Sequence, residues 1–178
     1  MVADISDYKN ISDVYLLFFA ILTVDVFVMF LARYFPDFFG AALNKWYDKY
    51  QITAVLSDVL IILIGFVIAR YVYTLFLKRT YGWNPPLFVG LVVVIQAIHD
   101  ALFYLCVIRP LPDGHNSIID LFKSYSKAGG QIIFGDALLM IGSALVAFIY
   151  KSMDSHVLVS TNVMVLYALP YILNTSWH

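Results

Sequence analysis

Glutamate is missing altogether: all 12 acidic residues among the 178 are aspartate, so every carboxylate hangs on the shorter stem. Such a stem cannot carry its charge far along a helix toward water, and a buried aspartate stays where its helix puts it. Cysteine is nearly missing too. Cys106 stands alone, which excludes an internal disulfide and paired-thiol redox chemistry within one chain. Charge is scarce and balanced, with 11 basic against 12 acidic residues, 13% charged and a net charge of −1. That balance gives no field to draw in a polyanion, so nucleic acid is set aside as a partner. Gly-x-Ser-x-Gly, a glycine-rich phosphate loop, Glu-x-x-His and His-Glu-x-x-His are all absent. The ordinary signatures of hydrolase, nucleotide and helix-borne metal chemistry are therefore lacking.

What fills the chain is apolar: 62% hydrophobic residues, 17% of all residues aromatic. The main partner is then a lipid bilayer, and the expected fold is an all-α polytopic transmembrane bundle forming one domain over 1–178. Five runs approach the about 20 helical residues needed to cross a membrane, at 13–34, 53–77, 86–109, 131–150 and 156–173. Pro85 and Pro86 open the third run, Pro110 closes it, and Asp154 or Ser155 caps the fifth. Met1 to Asn10 is acidic and has no small-residue cleavage pattern, so the first run is expected to stay in place as an anchor.

The ends of these runs define two faces. Tyr81 and Trp83 mark face A; Trp46, Tyr47, Tyr50 and Trp177 mark face B, at the level where amphipathic rings settle. Two short helices are expected on face B, at 37–48 with an apolar stripe of Phe38, Phe39, Ala42, Leu43, Trp46 and Tyr47, and at 117–128. The second opens on a capping-box pattern, Ser117 to Asp120, carries Ile118, Leu121, Phe122 and Tyr125, and breaks at Gly129-Gly130. Face-B connections hold Arg33, Lys45, Lys49, Arg109, Lys123 and Lys127 against Lys9, Lys78, Arg79 and Lys151 on face A. This excess places face B in the cytoplasm and the amino terminus outside. Arg70, close to face A, reads as a snorkelling side chain.

Each of the first four runs holds one aspartate well inside it: Asp25, Asp58, Asp100 and Asp136. A central ionisable residue costs about 2.5–3.5 kcal/mol to insert, so four cost roughly 10 kcal/mol unless something offsets them. Counting from the run ends at about 1.5 Å per residue puts all four roughly 8–14 Å below face B. Because successive spans alternate direction, a shared depth does not follow from a shared place in each run. It points to one site. Gln96, Asp100 and Tyr104 recur every four residues with His99 beside them, Ser57 adjoins Asp58, and Ser143 shares a stripe with Asp136.

Carboxylates crowded in a low dielectric cannot all stay ionised, so protons or a cation must balance them. The expected site is thus Asp25, Asp58, His99, Asp100 and Asp136, with Gln96, Tyr104, Ser57 and Ser143 as polar support. It would bind or conduct protons or small cations, with His99 the group that titrates near neutrality. No cofactor is required, a bound cation being one way to balance the acids, and five helices are few for a transporter, so a homo-oligomer is expected. The plainer alternative makes each aspartate a protonated packing bond to a neighbouring helix. A membrane metalloenzyme using oxygen ligands with His99 is a further alternative, weakened because iron or zinc would want more nitrogen ligands.

The run from Gln96 to Tyr104, then Ile108-Arg-Pro-Leu-Pro-Asp-Gly-His-Asn116, Ile119 to Lys123, and Gly129-Gly130 with Phe134-Gly-Asp136, resembles uncharacterised multi-pass membrane proteins of large nucleocytoplasmic DNA viruses and related algal sequences. The likeness covers roughly 95–145. It implies a viral internal membrane, or a host membrane altered by a virus, with the protein a structural component of the particle; it implies no activity.

Overall fold

In the computed structural model the chain is an all-helical bundle. Residues 2–39, 41–126 and 130–177 are described, with side chains at 38, 39, 41, 42, 125, 126 and 130–134 excepted. The expected stripe positions Phe38, Phe39, Ala42 and Tyr125, and the expectations for Lys127 and Gly129, lie outside the described residues. In chain order the helices are α1 Ser12–Tyr34, α2 Pro36–Phe39, α3 Ala41–Tyr50, α4 Ile52–Tyr81, α5 Pro85–Ile108, α6 Ser117–Ser126, α7 Gly130–Lys151 and α8 Ser155–Leu173.

Among the described residues, four helices are long and apolar enough to cross a membrane: α1, α4, α5 and α8, of 23, 30, 24 and 19 residues. The 22-residue α7 takes the place of the remaining expected span. The chain is a multi-pass membrane protein. α4 runs to Tyr81, past the expected end at 77, through a π-helical turn at Tyr73–Leu77. It stops where Gly82 adopts φ 62°, a left-handed exit that favours glycine. α5 starts as its prolines predict, with Asn84 Oδ1 accepting from the Leu87 N–H at 3.1 Å. The expected Ser117–Asp120 box does not form. Asn116 Oδ1 caps α6 instead, at 2.9 Å from the Ile118 N–H, while Asp120 turns back to the N–H of Gly114 at 3.1 Å. The turn at Gly114 has φ 81° and lays that N–H within the carboxylate's reach.

α1 is the hub, packed on α4, α7 and α8, while α5 packs on α4 and α7. The helices α1, α4, α5 and α7 thus close a ring, and α8 leans on α1 from outside it. Small residues allow the closest approaches: a Cβ on Gly65 would stand 3.1 Å from Met140 Cε and 3.2 Å from Gln96 Oε1, and one on Gly142 3.3 Å from Val24 Cγ1. Leu17, Ile21, Val59, Phe66, Phe88 and Met140 fill the ring without exposure.

Two expectations fail here. Arg70 does not snorkel: it is 1% exposed, because the segment 2–10 folds over face A and offers it the carbonyls of Asp7 and Asn10. Trp46 and Tyr47 do not lie among headgroups either. They are 4% and 1% exposed, because α3 turns them inward, where their N–H and O–H find acceptors.

Candidate functional site

Each helix of the ring contributes one of the four deep aspartates, and α8 contributes none. Asp25 is 1% exposed on α1 and accepts a hydrogen bond from Tyr47 Oη at 2.8 Å. Asp58 on α4 accepts from Trp46 Nε1 at 2.8 Å. Asp100 on α5 accepts from Gln96 Nε2 at 2.7 Å, one turn away, and lies 3.1 Å from His99 Nδ1. Asp136 on α7 sits within Coulombic reach of both Asp58 and Asp100, and Asp58 within reach of Asp25. These links join Asp25 to Asp58, Asp58 to Asp136, Asp136 to Asp100 and Asp100 to His99.

α3 reaches two of these because its sequence is patterned for it. Leu43, Asn44, Trp46, Tyr47 and Tyr50 point inward at helical spacing, and Lys45, Asp48 and Lys49 point out. Burial, with the charges of Asp25 and Asp58, pushes the Tyr47 phenol well above its ordinary value, so it remains a donor. Trp46 and Tyr47 thus pack against Asp58 and Asp25 from the face-B side. The described cavities are elsewhere: one of about 390 Å³ at face B beside Asp48, Gln51 and Trp177, another of about 440 Å³ at face A beside Val2, Phe148 and Met153.

The cluster is short of donors. Asp25 Oδ2, Asp100 Oδ2 and Gln96 Oε1 are buried with no hydrogen-bond donor among the described residues, and the buried Ser143 Oγ has no partner there. An oxygen buried without a donor costs about 1–3 kcal/mol, more if charged, so the arrangement favours added protons. None of the described ion pairs joins the four aspartates to a lysine or arginine; His99 is their only ion-pair partner, with Asp100.

The supporting residues are placed unequally. Gln96 is buried against Asp100, Ser57 is half-buried, and Ser143 is fully buried. Tyr104 is 39% exposed. A four-residue stripe drifts by about 40° each step on an α-helix, and by Tyr104, where the helix widens into a π-turn at Tyr104–Ile108, the stripe faces outward. His99 is half-buried, stacked on Phe103 at 5.7 Å. Asp113 and His115, in the turn after α5, are exposed, with Asp113 bonded to Lys123 at 2.7 Å. Among the described residues no three His, Cys, Asp or Glu side chains gather closely enough to hold a metal ion.

A second charged cluster escapes sequence reasoning. Asp13, 2% exposed in the first turn of α1, pairs with Lys151 of α7 and with Arg70 of α4 at 3.6 Å. The segment 2–10 seals it, with Lys78 Nζ 2.7 Å from Asp4 Oδ2, Thr74 Oγ1 2.7 Å from the Ser6 carbonyl and Trp83 Nε1 3.0 Å from the Val2 carbonyl. The available signal was opposite charge at one depth on three helices.

Compared with known protein families, curated proteins and solved structures, the chain matches none.

Proposed function

We propose that the protein binds and relays protons through its intramembrane carboxylates, in the order His99, Asp100, Asp136, Asp58 and Asp25. The observation that carries this reading is the donor shortage: among the described residues, buried acceptor oxygens on Asp25, Gln96 and Asp100 have no donor, and no lysine or arginine is paired to the four acids. Crowded carboxylates in a low dielectric share protons, and His99, 3.1 Å from Asp100, is a neighbour able to exchange one with them. A proton suits this set better than a chelated cation, because the acids form a chain rather than a cage around one point. Face B, with its excess of lysine and arginine, is the cytoplasmic side in this reading.

The test is proton flux into liposomes holding the purified protein. Wild type is expected to exceed empty liposomes. Asp136→Asn, which breaks the chain at the link facing both Asp58 and Asp100, is expected to lose about a hundredfold or more, the range a positioned proton-transfer group contributes. Wild-type flux equal to that of empty liposomes across pH sinks the transport reading. The hydrogen bonds from Trp46 and Tyr47 favour a second reading, in which Asp58 and Asp25 pin α3 to the ring. In that case neither Asp25→Asn nor Asp136→Asn changes flux.

A further inference from the structure

Trp46 and Tyr47 are consecutive residues on a helix that does not cross the bilayer, yet they reach carboxylates on two different spans. Their side chains meet Asp58 and Asp25 from α3, on the face-B side, and both are nearly without exposure. Trp46 is wedged further by the rings of Tyr50 at 4.9 Å and Phe122 at 5.3 Å, so α6 backs it from outside. Tyr50 Oη ties the two surface helices together at the Ser117 carbonyl, 2.5 Å away.

The placement of α3 is over-determined. Buried Arg33, at the end of α1, holds Asn44 Oδ1 at 3.1 Å, the Leu173 carbonyl at 3.0 Å and Asp48 at 2.7 Å. Asn44 in turn donates to the Ala32 carbonyl at 2.7 Å. At the other end the chain reverses from α3 into α4 within one residue, and Gln51 is held at φ 50°, ψ −131°, a conformation that suits glycine. Strain of that kind persists only where surrounding contacts impose it, and here it keeps α3 laid back across the mouth of the ring.

We infer that Trp46 and Tyr47 form a plug that separates Asp25 and Asp58 from face-B water, with Arg33 the positioning residue that holds the plug helix in place. The inference builds on the proposed proton relay, for which the plug sets access, but access can be read without any flux. Each plug residue guards its own partner: Trp46 guards Asp58, Tyr47 guards Asp25.

The test is carboxyl labelling of the full chain in liposomes, mapped by peptide mass spectrometry. A water-soluble carbodiimide with glycine ethyl ester probes access from water, and dicyclohexylcarbodiimide probes access from lipid. In wild type the water-soluble reagent should modify exposed Asp37 on face B and leave Asp25 and Asp58 unmodified. Trp46→Ala with Tyr47→Ala should raise water-soluble labelling of Asp25 and Asp58 by at least about tenfold, as packed side chains that excluded solvent are removed. Labelling of Asp37 should not change. Arg33→Met should raise the water-soluble labelling of Asp25 and Asp58 in part, with both plug residues still present. Should the double variant fail to fold, Trp46→Leu and Tyr47→Leu decide the matter singly, the first exposing Asp58 and the second Asp25. Wild-type Asp25 and Asp58 labelled from water as fast as Asp37 overturns the plug, and so do single variants whose labelling matches wild type. A protein that shows this labelling pattern yet moves no protons keeps the plug and loses the relay.

Discussion

At face A, Asp13 meets Arg70 and Lys151 across three helices, and a folded amino-terminal segment supplies carbonyls to the guanidinium. Toward face B, four aspartates are linked in succession with one histidine, with neutral donors on three of them and, among the described residues, no lysine or arginine paired to any. Both are clusters of ionisable groups withdrawn from water in the same small bundle. The first is compensated charge by charge, and its worth lies in holding helices together. The second is left short of protons, and structural need alone gives no reason to assemble four acids where Asn or Ser would pack as well.

Neutralising one member at each end should therefore have unequal effects. Arg70→Met strands Asp13 with only Lys151 and removes the anchor of the 2–10 segment. It should destabilise the protein by about 3–5 kcal/mol, as breaking a buried pair does, seen as a large fall in detergent-solubilised melting temperature. Next comes the ring itself: Gly65→Val forces methyl groups toward Met140 and Gln96 and should cost about 1–3 kcal/mol. Asp25→Asn should shift stability by less than about 1 kcal/mol, because the amide oxygen still accepts from Tyr47 and a charge-prone group has gone. An Asp25→Asn loss as large as that of Arg70→Met would erase the distinction between the two ends.

The parts visible beforehand are those that need only counting. Long apolar runs have one reading at this length, and the common depth of Asp25, Asp58, Asp100 and Asp136 follows from residue number and alternating direction. Rotation about each helix axis was not visible, since helices apolar on every side carry no stripe to orient them. Hence the four-residue spacing groups Tyr104 with Gln96 and Asp100, whereas its side chain faces out. Trp46 and Tyr47 were hidden for another reason: an indole or phenol is equally at home beside headgroups and bonded to a buried carboxylate, and only the position of α3 decides. Arg70 depends on a segment some 60 residues distant, Asp7 to Asn10, folding over it, which no local pattern records.

The smallest effect tests whether the face-A seal is electrostatic in the sense the comparison requires. Asp4 is part-buried, and burial alone would raise its pKa, but hydrogen bonds from Lys78 and Ser6 together with the Lys78 charge outweigh that and hold it below its ordinary 3.8. A carboxylate depressed in the folded state stabilises it above the unfolded value and loses that contribution as pH falls through the folded one. The tie of residues 2–10 to α4 should hold unchanged from neutrality down to about pH 4, then weaken below it. Hydrogen exchange in the segment 2–10 and Trp83 fluorescence, reporting the indole bond to the Val2 carbonyl, follow it directly. Lys78→Met removes the main stabiliser and should abolish this acid step while leaving Arg70 and Asp13 paired. An acid step that survives in Lys78→Met would mean that the segment is released by some other carboxyl, with Asp13 the first to suspect, and the two faces would then differ less in their response to protons than their pairing suggests.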